Sequence, residues 1–269
     1  MGLEALGISD HDTLDGYDEA VPLARDLGVE LVCGIEISTK LSDGSPRGKT
    51  VHLLGYFLSG HASAGFRTWM KELHDARRDR NLRLIDKLQS VGVDIRLEEV
   101  VAIGRNMTAR PHFAQALVAK GYVKTLQEAF DVYLDESARA FVTHESPSLA
   151  ESIRKTLEGG GLPVLAHPVR LGRKDPRQEE ELIAAQVDQG LGGIEVYHSD
   201  HSPQDVERYK GLARRFGLAI TGGSDFHGAA KPHVALGTGK NGNVSVPLSV
   251  LDHMRAAMTS SSALTPRSS

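Results

Sequence analysis

Short apolar runs alternate with amphipathic stretches along most of this chain of 269 residues. The apolar runs predict strands at 3–9, 29–38, 50–58, 162–168, 192–198, 218–227 and, more weakly, 233–239. The amphipathic stretches, two of which end at the typical cap residues Gly28 and Gly217, predict helices at 17–28, 179–190 and 203–217. A repeated order of strand, helix, glycine and strand predicts parallel strands joined by helical crossovers.

The middle of the chain lacks this alternation. Nearly all of residues 62–145 follow a helical period, with helices predicted at 66–92, 109–121 and 125–134. We therefore predict an α/β barrel formed by residues 1–61 and 146–240, interrupted by a helical insertion at 62–145. Residues 241–269 form a C-terminal segment, and its low-complexity last ten residues are expected to be disordered.

Composition narrows the classes of function. Hydrophobic residues make up 40% and charged residues 25%, which is typical of a globular protein with a substantial core. The net charge of −4 argues against stable binding of duplex DNA through its backbone, but not against a small phosphorylated substrate. The single cysteine, Cys33, excludes an internal disulfide and favours a reducing, cytoplasmic location, and the sequence predicts no membrane span. The oligomeric state stays open.

Titratable side chains follow most of the predicted strands, at His11, Glu36, His52, His167, Glu195, His198, Asp225 and His227. The carboxyl ends of parallel barrel strands converge on one face, so these groups should meet in a small volume. Burying that much charge is costly, and divalent cations such as Zn, Mn or Fe relieve the cost. Taken singly, His52 is equally typical of a strand histidine, Asp12 of a helix N-cap and Glu195 of a buried, hydrogen-bonded acid.

Seven segments carry a resemblance to a known family. They are "ALGISDHDT", "GIEIS", "VHLLGY", "RPHFAQALV", "VLAHP", "GIEVYH" and "GGSDFHG". In order and context they resemble the PHP (polymerase and histidinol phosphatase) family, and most of all its stand-alone phosphoesterase branch. The resemblance spans residues 3–240 and implies a distorted seven-stranded β/α (TIM-like) barrel with up to three divalent metal ions. By motif, the implied metal ligands are His11, Glu36, His52, His167, Asp225 and His227.

The same resemblance implies a metal-dependent phosphoesterase that uses a metal-activated water. The implied substrate is a small nucleotide, such as a nucleoside 3',5'-bisphosphate, or the 5' end of short RNA. Two alternatives stay open: another phosphomonoesterase, such as a histidinol-phosphate-type phosphatase, and a non-catalytic PHP-like binding domain. The metal could be Mn, Zn or Fe, with Mg also possible, because imidazole and carboxylate ligands do not select one metal.

Further side chains are candidates for substrate binding and proton transfer. Guanidinium groups suit phosphate, and a helix start suits an anion, so Arg105, Arg110 and His112 in "GRNMTARPHF" are candidate substrate contacts. Arg80 and His201 are further candidates, although the basic run at 76–83 is equally typical of a solvated helix face. The "RPH" segment is also compatible with an ordinary capping turn. The candidate catalytic residues are Asp10, His198 and Arg110.

The start of the chain departs from the family pattern. The family's first strand carries a His-x-His pair, and no such pair precedes the strand predicted at 3–9. A mis-assigned or trimmed start is favoured over a degenerate copy. We expect weak metal occupancy and poor activity from the chain as written, and recovery when about 25 upstream residues, enough for a strand and its loop, are restored.

Overall fold

A computed structural model describes residues 2–42, 48–104, 108–135, 137–143, 146–172, 175–228 and 231–262. The chain divides into two compact units. The first unit comprises Met1–Arg67 and Pro147–Ser269, and the second comprises Thr68–Ser146. Within the described ranges no helix is long and apolar enough to cross a membrane.

The first unit is built on one six-stranded sheet. Its strands are β1 (Ala5–Ile8), β2 (Glu30–Leu41), β3 (Lys49–Phe57), β4 (Leu162–Leu165), β5 (Gly193–His198) and β6 (Ala219–Gly223). They lie in chain order, so β1 and β6 form the two edges of the sheet in the described part of the chain. This is a mixed α/β fold of the distorted TIM-like barrel type, which confirms the predicted fold class. The strand predicted at 233–239 is wrong, because Gly237 and Gly239 have φ values of 74° and 72° and interrupt extended backbone.

The prediction of an all-parallel sheet is wrong for β3. This strand runs antiparallel to both β2 and β4, whereas the pairs β1–β2, β4–β5 and β5–β6 are parallel. Residues 42–48 are the whole connection between β2 and β3. A parallel crossover needs roughly a dozen residues or more, so this short connection allows only an antiparallel return.

The described helices are α1 (Asp15–Leu27), α2 (Ala64–Ser90), α3 (Leu97–Gly104), α4 (Arg110–Ala119), α5 (Leu126–Ala129), α6 (Leu149–Glu158), α7 (Pro176–Asp188), α8 (Pro203–Phe216) and α9 (Ser249–Ser262). The six predicted helices are present, together with three helices that were not predicted individually, α3, α6 and α9. Gly28 and Gly217 adopt left-handed conformations after α1 and α8, which confirms both predicted caps. Helix α9 reaches into the tail that was expected to be disordered, and residues 263–269 lie outside the described part.

Alternate residues of the sheet build an apolar layer on one face. Leu54 and Tyr56 of β3 and Val164 of β4 pack with Val250 and Met254 of α9. His52 precedes Leu54 by two residues and therefore points to the same face. The apolar layer therefore lies beside the polar side chain of His52 on the same face of the sheet.

The second unit has its own hydrophobic core. Its fully buried members include Leu88 and Ile95, together with Phe113 and Leu117 of α4. Among the residues of this unit that the structure describes, one charged side chain is buried: Arg80 of α2, which is 3% exposed. The second unit therefore buries a guanidinium group, and burial of charge is costly.

Candidate functional site

The residues after β1 continue the pairing of that strand with β2. The Glu36 N–H donates to the carbonyl oxygen of Asp10 over 2.9 Å, and the Asp12 N–H donates to the carbonyl oxygen of Glu36 over 3.0 Å. His11 is thereby fixed beside Glu36. The Asp12 carboxylate accepts the Ser38 N–H over 2.7 Å, and the alternative of Asp12 as a helix N-cap is wrong. The N-cap residue of α1 is Leu14.

Four side chains from four segments form a compact cluster, which we call the histidine–glutamate cluster: His11, Glu36, His52 and His167. Oε1 of Glu36 lies 2.6 Å from Nδ1 of His52 and 3.0 Å from Nε2 of His167. Those two imidazole nitrogens are 3.3 Å apart. The ligand atoms of His11, Glu36 and His52 lie within 4.8 Å of one another. Convergent imidazole and carboxylate donors of this kind fit a divalent metal ion.

A second group of side chains joins the cluster from the loop after β6. Nε2 of His227 lies 3.5 Å from Nε2 of His11. Nδ1–H of His227 donates to the carbonyl oxygen of Asp225 over 2.8 Å, so Nε2 of the neutral ring is unprotonated on the side that faces His11. A hydrogen bond at one ring nitrogen that frees the other nitrogen is typical of metal-binding histidines.

The Asp225 carboxylate is held by two cations. Oδ2 accepts hydrogen bonds from Nη2 of Arg170 over 2.8 Å and from Nζ of Lys231 over 2.6 Å. Burial alone would raise the pKa of Asp225, but His198, Lys231 and Arg170 together hold the pKa of this carboxyl far below its usual range. Arg170 was missed in the sequence, although its position three residues after His167 at a strand end was an available signal.

A β-bulge in β5 brings Glu195 and His198 to the same side of the sheet. The pairing of β5 with β6 shifts register between Glu195 and Tyr197. Residues three apart face opposite sides of a regular strand, and a bulge removes that alternation. The Glu195 carboxylate accepts the His167 N–H over 2.7 Å, which agrees with the reading of Glu195 as a buried, hydrogen-bonded acid.

His198 lies between Glu195 and Asp225. Its Nδ1 accepts the Asp200 N–H over 3.0 Å, so the proton of the neutral ring is on Nε2, 3.5 Å from Oδ2 of Asp225. His201 packs behind it and is 6% exposed. Nδ1–H of His201 donates to the carbonyl oxygen of Val196, and this burial disfavours the predicted direct contact between His201 and a substrate.

The charge states of the cluster suit metal binding. Burial would raise the pKa of Glu36, but hydrogen bonds from His167 and His52 hold this pKa well below its usual range. Burial lowers the pKa of both His11 and His167. At neutral pH the carboxylate is therefore ionised and these two rings are neutral, which are the forms that bind metal ions. Burial also raises the pKa of Glu195 to about 7.

A cavity of about 680 Å³ in the first unit is lined by several of these groups. Its polar lining includes Asp10, Glu36, His167, His198, Asp225 and His227. The Asp10 carboxylate lies against Gly16 at the start of α1, and burial raises the pKa of this carboxyl. Both candidate acid–base groups, Asp10 and His198, therefore line the same cavity as four of the six predicted ligands.

The arginines that are candidate substrate contacts belong to the second unit. Nε and Nη1 of Arg80 are buried and have no hydrogen-bond partner within the described ranges, so the alternative of a solvated face is wrong for this residue. Burial, followed by the charges of Arg110, Arg77 and Arg83, lowers the pKa of Arg80 to about 10. A buried guanidinium among other cations is an environment that favours an anion.

The neighbouring candidates differ in their surroundings. Nη2 of Arg110 donates to the carbonyl oxygen of Val142 over 3.0 Å. Nδ1 of His112 accepts the Ala109 N–H over 3.0 Å, as the capping-turn alternative expects. Arg105 lies outside the described residues.

Comparison with characterised proteins gives consistent relatives, although no family model matches the chain. It is 33% identical to the phosphoribosyl 1,2-cyclic phosphate 1,2-diphosphodiesterase of Eggerthella lenta, over 87% of both chains. It is 29% identical to the 5'-3' exoribonuclease of Haemophilus influenzae, over 84% of this chain and 80% of the relative. It is 30% identical to the 3',5'-nucleoside bisphosphate phosphatase of Chromobacterium violaceum, over 82% and 76% respectively.

A solved structure supports the same grouping. A protein of Bifidobacterium adolescentis, assigned as a metal-dependent phosphoesterase, superposes with a TM-score of 0.72 and 30% sequence identity. The match covers 95% of this chain and 86% of that structure. Fold and sequence therefore agree on one class of relatives.

Proposed function

The chain belongs to the PHP family as a stand-alone metal-dependent phosphoesterase, and from this premise we propose that it hydrolyses phosphate esters of small nucleotides. The proposed substrate is a nucleoside 3',5'-bisphosphate or the 5' end of a short RNA. Support comes from relatives that bear the names of a bisphosphate phosphatase and an exoribonuclease. The overall charge of −4 is compatible with a small anionic substrate and disfavours a long duplex.

The metal ions belong to the first unit in this proposal. The residues that would hold them are His11, Glu36, His52, His167, Asp225 and His227, with up to three ions of Mn, Zn or Fe, or with Mg. A bound divalent ion would lower the pKa of a water molecule and neutralise charge on the phosphoryl oxygens. The observation that carries the proposal is the position of Oε1 of Glu36, within 3.0 Å of ring nitrogens of both His52 and His167.

The protein's own groups supply proton transfer and orientation. His198 presents Nε2–H towards Asp225, in the same cavity as the predicted ligands, and is the proposed donor to the leaving oxygen. Asp10 faces that cavity from the end of β1 and is the proposed acceptor of a proton from the attacking water. Arg170 and Lys231 keep Asp225 ionised.

The arginines of the second unit are the proposed phosphate contacts. Arg80 has two buried N–H donors without a partner among the described residues, and Arg110 and His112 stand at the start of α4. Arg105 remains a candidate from the sequence. Their cations would bind a substrate phosphate through directional hydrogen bonds.

A substrate panel tests the proposal. The purified chain is treated with a chelator, reloaded separately with Mn, Zn, Fe or Mg, and offered a nucleoside 3',5'-bisphosphate, a 5'-phosphorylated short RNA, histidinol phosphate and a pentose cyclic phosphate. We expect weak, metal-dependent release of phosphate or 5' nucleotides from the first two substrates. Turnover of histidinol phosphate alone would favour the other phosphomonoesterase. Metal binding without any turnover would favour the non-catalytic domain.

A further inference from the structure

The backbone of His167 is held in a conformation that L-amino acids rarely adopt. Its φ and ψ are 26° and 63°, at the point where β4 has ended. Asp12 and Asp225 also have positive φ values, of 53° and 58°. Strained backbone of this kind persists only where surrounding contacts hold it, and it is concentrated at functional sites. The local sequence Ala-His-Pro does not by itself require a left-handed histidine.

A hydrogen bond to Glu195 of the neighbouring strand β5 holds this turn. The pairing of β3 with β4 ends at Leu165, and the Ala166 N–H still reaches the carbonyl oxygen of His52 over 3.2 Å. The next amide, that of His167, turns away from β3 and donates to Oε2 of Glu195 over 2.7 Å. Glu195 is 5% exposed, so water does not compete freely for this hydrogen bond.

The direction of the His167 ring depends on this turn. The ring places Nε2 3.0 Å from Oε1 of Glu36, and the side chain is 8% exposed. Successive residues of a strand point to opposite faces, and Ala166 packs in the apolar layer. In a regular continuation of β4, the His167 side chain would therefore point to the opposite face of the sheet. The bulge that follows Glu195 in β5 leaves this acid on the same side as the cluster.

We propose that Glu195 is a positioning residue of this site. Its buried carboxylate holds the left-handed backbone of His167 and thereby directs the imidazole towards Glu36. For its catalytic consequence the proposal rests on the proposed function, whereas its consequence for metal binding does not require turnover.

The test compares three substitutions of Glu195. Glu195→Gln keeps a carbonyl oxygen at the same reach and can still accept the His167 N–H. Glu195→Ala removes the acceptor, and Glu195→Asp keeps the charge but withdraws it by one methylene group. The matched control is Glu179→Ala, which removes another buried glutamate, one that is hydrogen-bonded to Tyr209 and Arg208.

The readouts are the calorimetric affinity for Mn²⁺ and the visible spectrum of the Co²⁺-loaded protein. We expect Glu195→Ala and Glu195→Asp to weaken Mn²⁺ binding by roughly 10- to 100-fold and to change the Co²⁺ spectrum. Glu195→Gln should restore wild-type behaviour in both. Glu179→Ala should lower the unfolding temperature without changing either readout. If Glu195→Ala does not fold, the Asp and Gln pair decides the question.

Wild-type affinity and spectrum in both the Ala and the Asp variants would overturn the proposal. A Gln variant that is impaired while the Asp variant is not would also overturn it, because charge rather than backbone positioning would then be the requirement. If the wild type binds Mn²⁺ but hydrolyses no phosphate ester, the proposed function fails while the metal-binding comparison still decides the role of Glu195.

Discussion

His167 and Glu36 are 131 positions apart in the sequence, yet Nε2 of His167 lies 3.0 Å from Oε1 of Glu36. Glu36 lies on β2 and His167 follows the end of β4, and β3 lies between those two strands in the sheet. Glu36 also contacts His52 of that middle strand, so one carboxylate joins three neighbouring segments. The Glu36 carboxylate is therefore at the centre of the histidine–glutamate cluster.

The substitution Glu36→Gln should abolish metal-dependent activity. The amide keeps the shape of the side chain but lacks the negative charge. That charge accepts the hydrogen bonds of two histidines and would bind the metal cation. We expect Mn²⁺ affinity and kcat/KM to fall by more than the roughly 10- to 100-fold loss seen when only a supporting contact of a metal ligand is removed. Calorimetry and initial rates measure both, with the exposed Glu158→Gln as control. Unchanged Mn²⁺ affinity in the variant would contradict a ligand role.

The substitution Asp12→Ala should destabilise the first unit. Its carboxylate accepts the Ser38 N–H over 2.7 Å, and its φ of 53° suits aspartate better than alanine. We expect a loss of roughly 1–3 kcal/mol in the free energy of unfolding, measured in urea. Asp26→Ala, on the exposed face of α1, is the control and should change little. Equal stability of the two variants would show that this hydrogen bond contributes nothing.

The substitution Arg80→Met should stabilise the protein while weakening substrate binding. Methionine fills much of the same volume without burying a charged group whose Nε and Nη1 have no hydrogen-bond partner in the described part of the chain, so a gain of roughly 1–4 kcal/mol is expected in the free energy of unfolding. KM for the nucleotide substrate should rise, because a phosphate contact is lost. Arg83→Met, on the exposed face of α2, is the control for both measurements. A clear loss of stability in Arg80→Met would mean that the charge is already compensated.

Stability should fall as the pH is lowered from 6.5 to about 4, in part because of His201. Burial lowers the pKa of His201 from 6.5 to about 4, with opposing or minor contributions from Val196, His198, Asp205 and His167. In this window the unfolded chain binds a proton that the folded His201 ring does not accept. The free energy of unfolding therefore falls as the pH is lowered. The contribution is fully present above pH 6.5 and is lost progressively below it.

The variant His201→Gln should flatten this part of the stability curve, as measured by urea unfolding across the window. His74→Gln, at an exposed position in the second unit, should leave the curve unchanged. The hypothesis for His201 is wrong if its variant and the wild type lose stability in parallel.

The periodicity of the sequence determined most strands and helices and the residues that follow each strand. Six of the seven predicted strands are present, because buried strands bounded by turn residues leave a local apolar signal. The direction of β3 was mispredicted, although the short connection before it contained the needed constraint. The strand predicted at 233–239 failed because its glycines, rather than its apolar residues, decide the backbone there.

The tertiary structure alone decided which of these side chains meet and how they are held. No local pattern specifies that Glu195 accepts the His167 N–H, that a bulge brings His198 to the same side as Glu195, or that Nε and Nη1 of Arg80 are buried with no hydrogen-bond partner among the described residues. Periodicity records which face of an element is apolar. Hydrogen-bond partners far apart in the chain are set by strand register and packing, which depend on the whole fold.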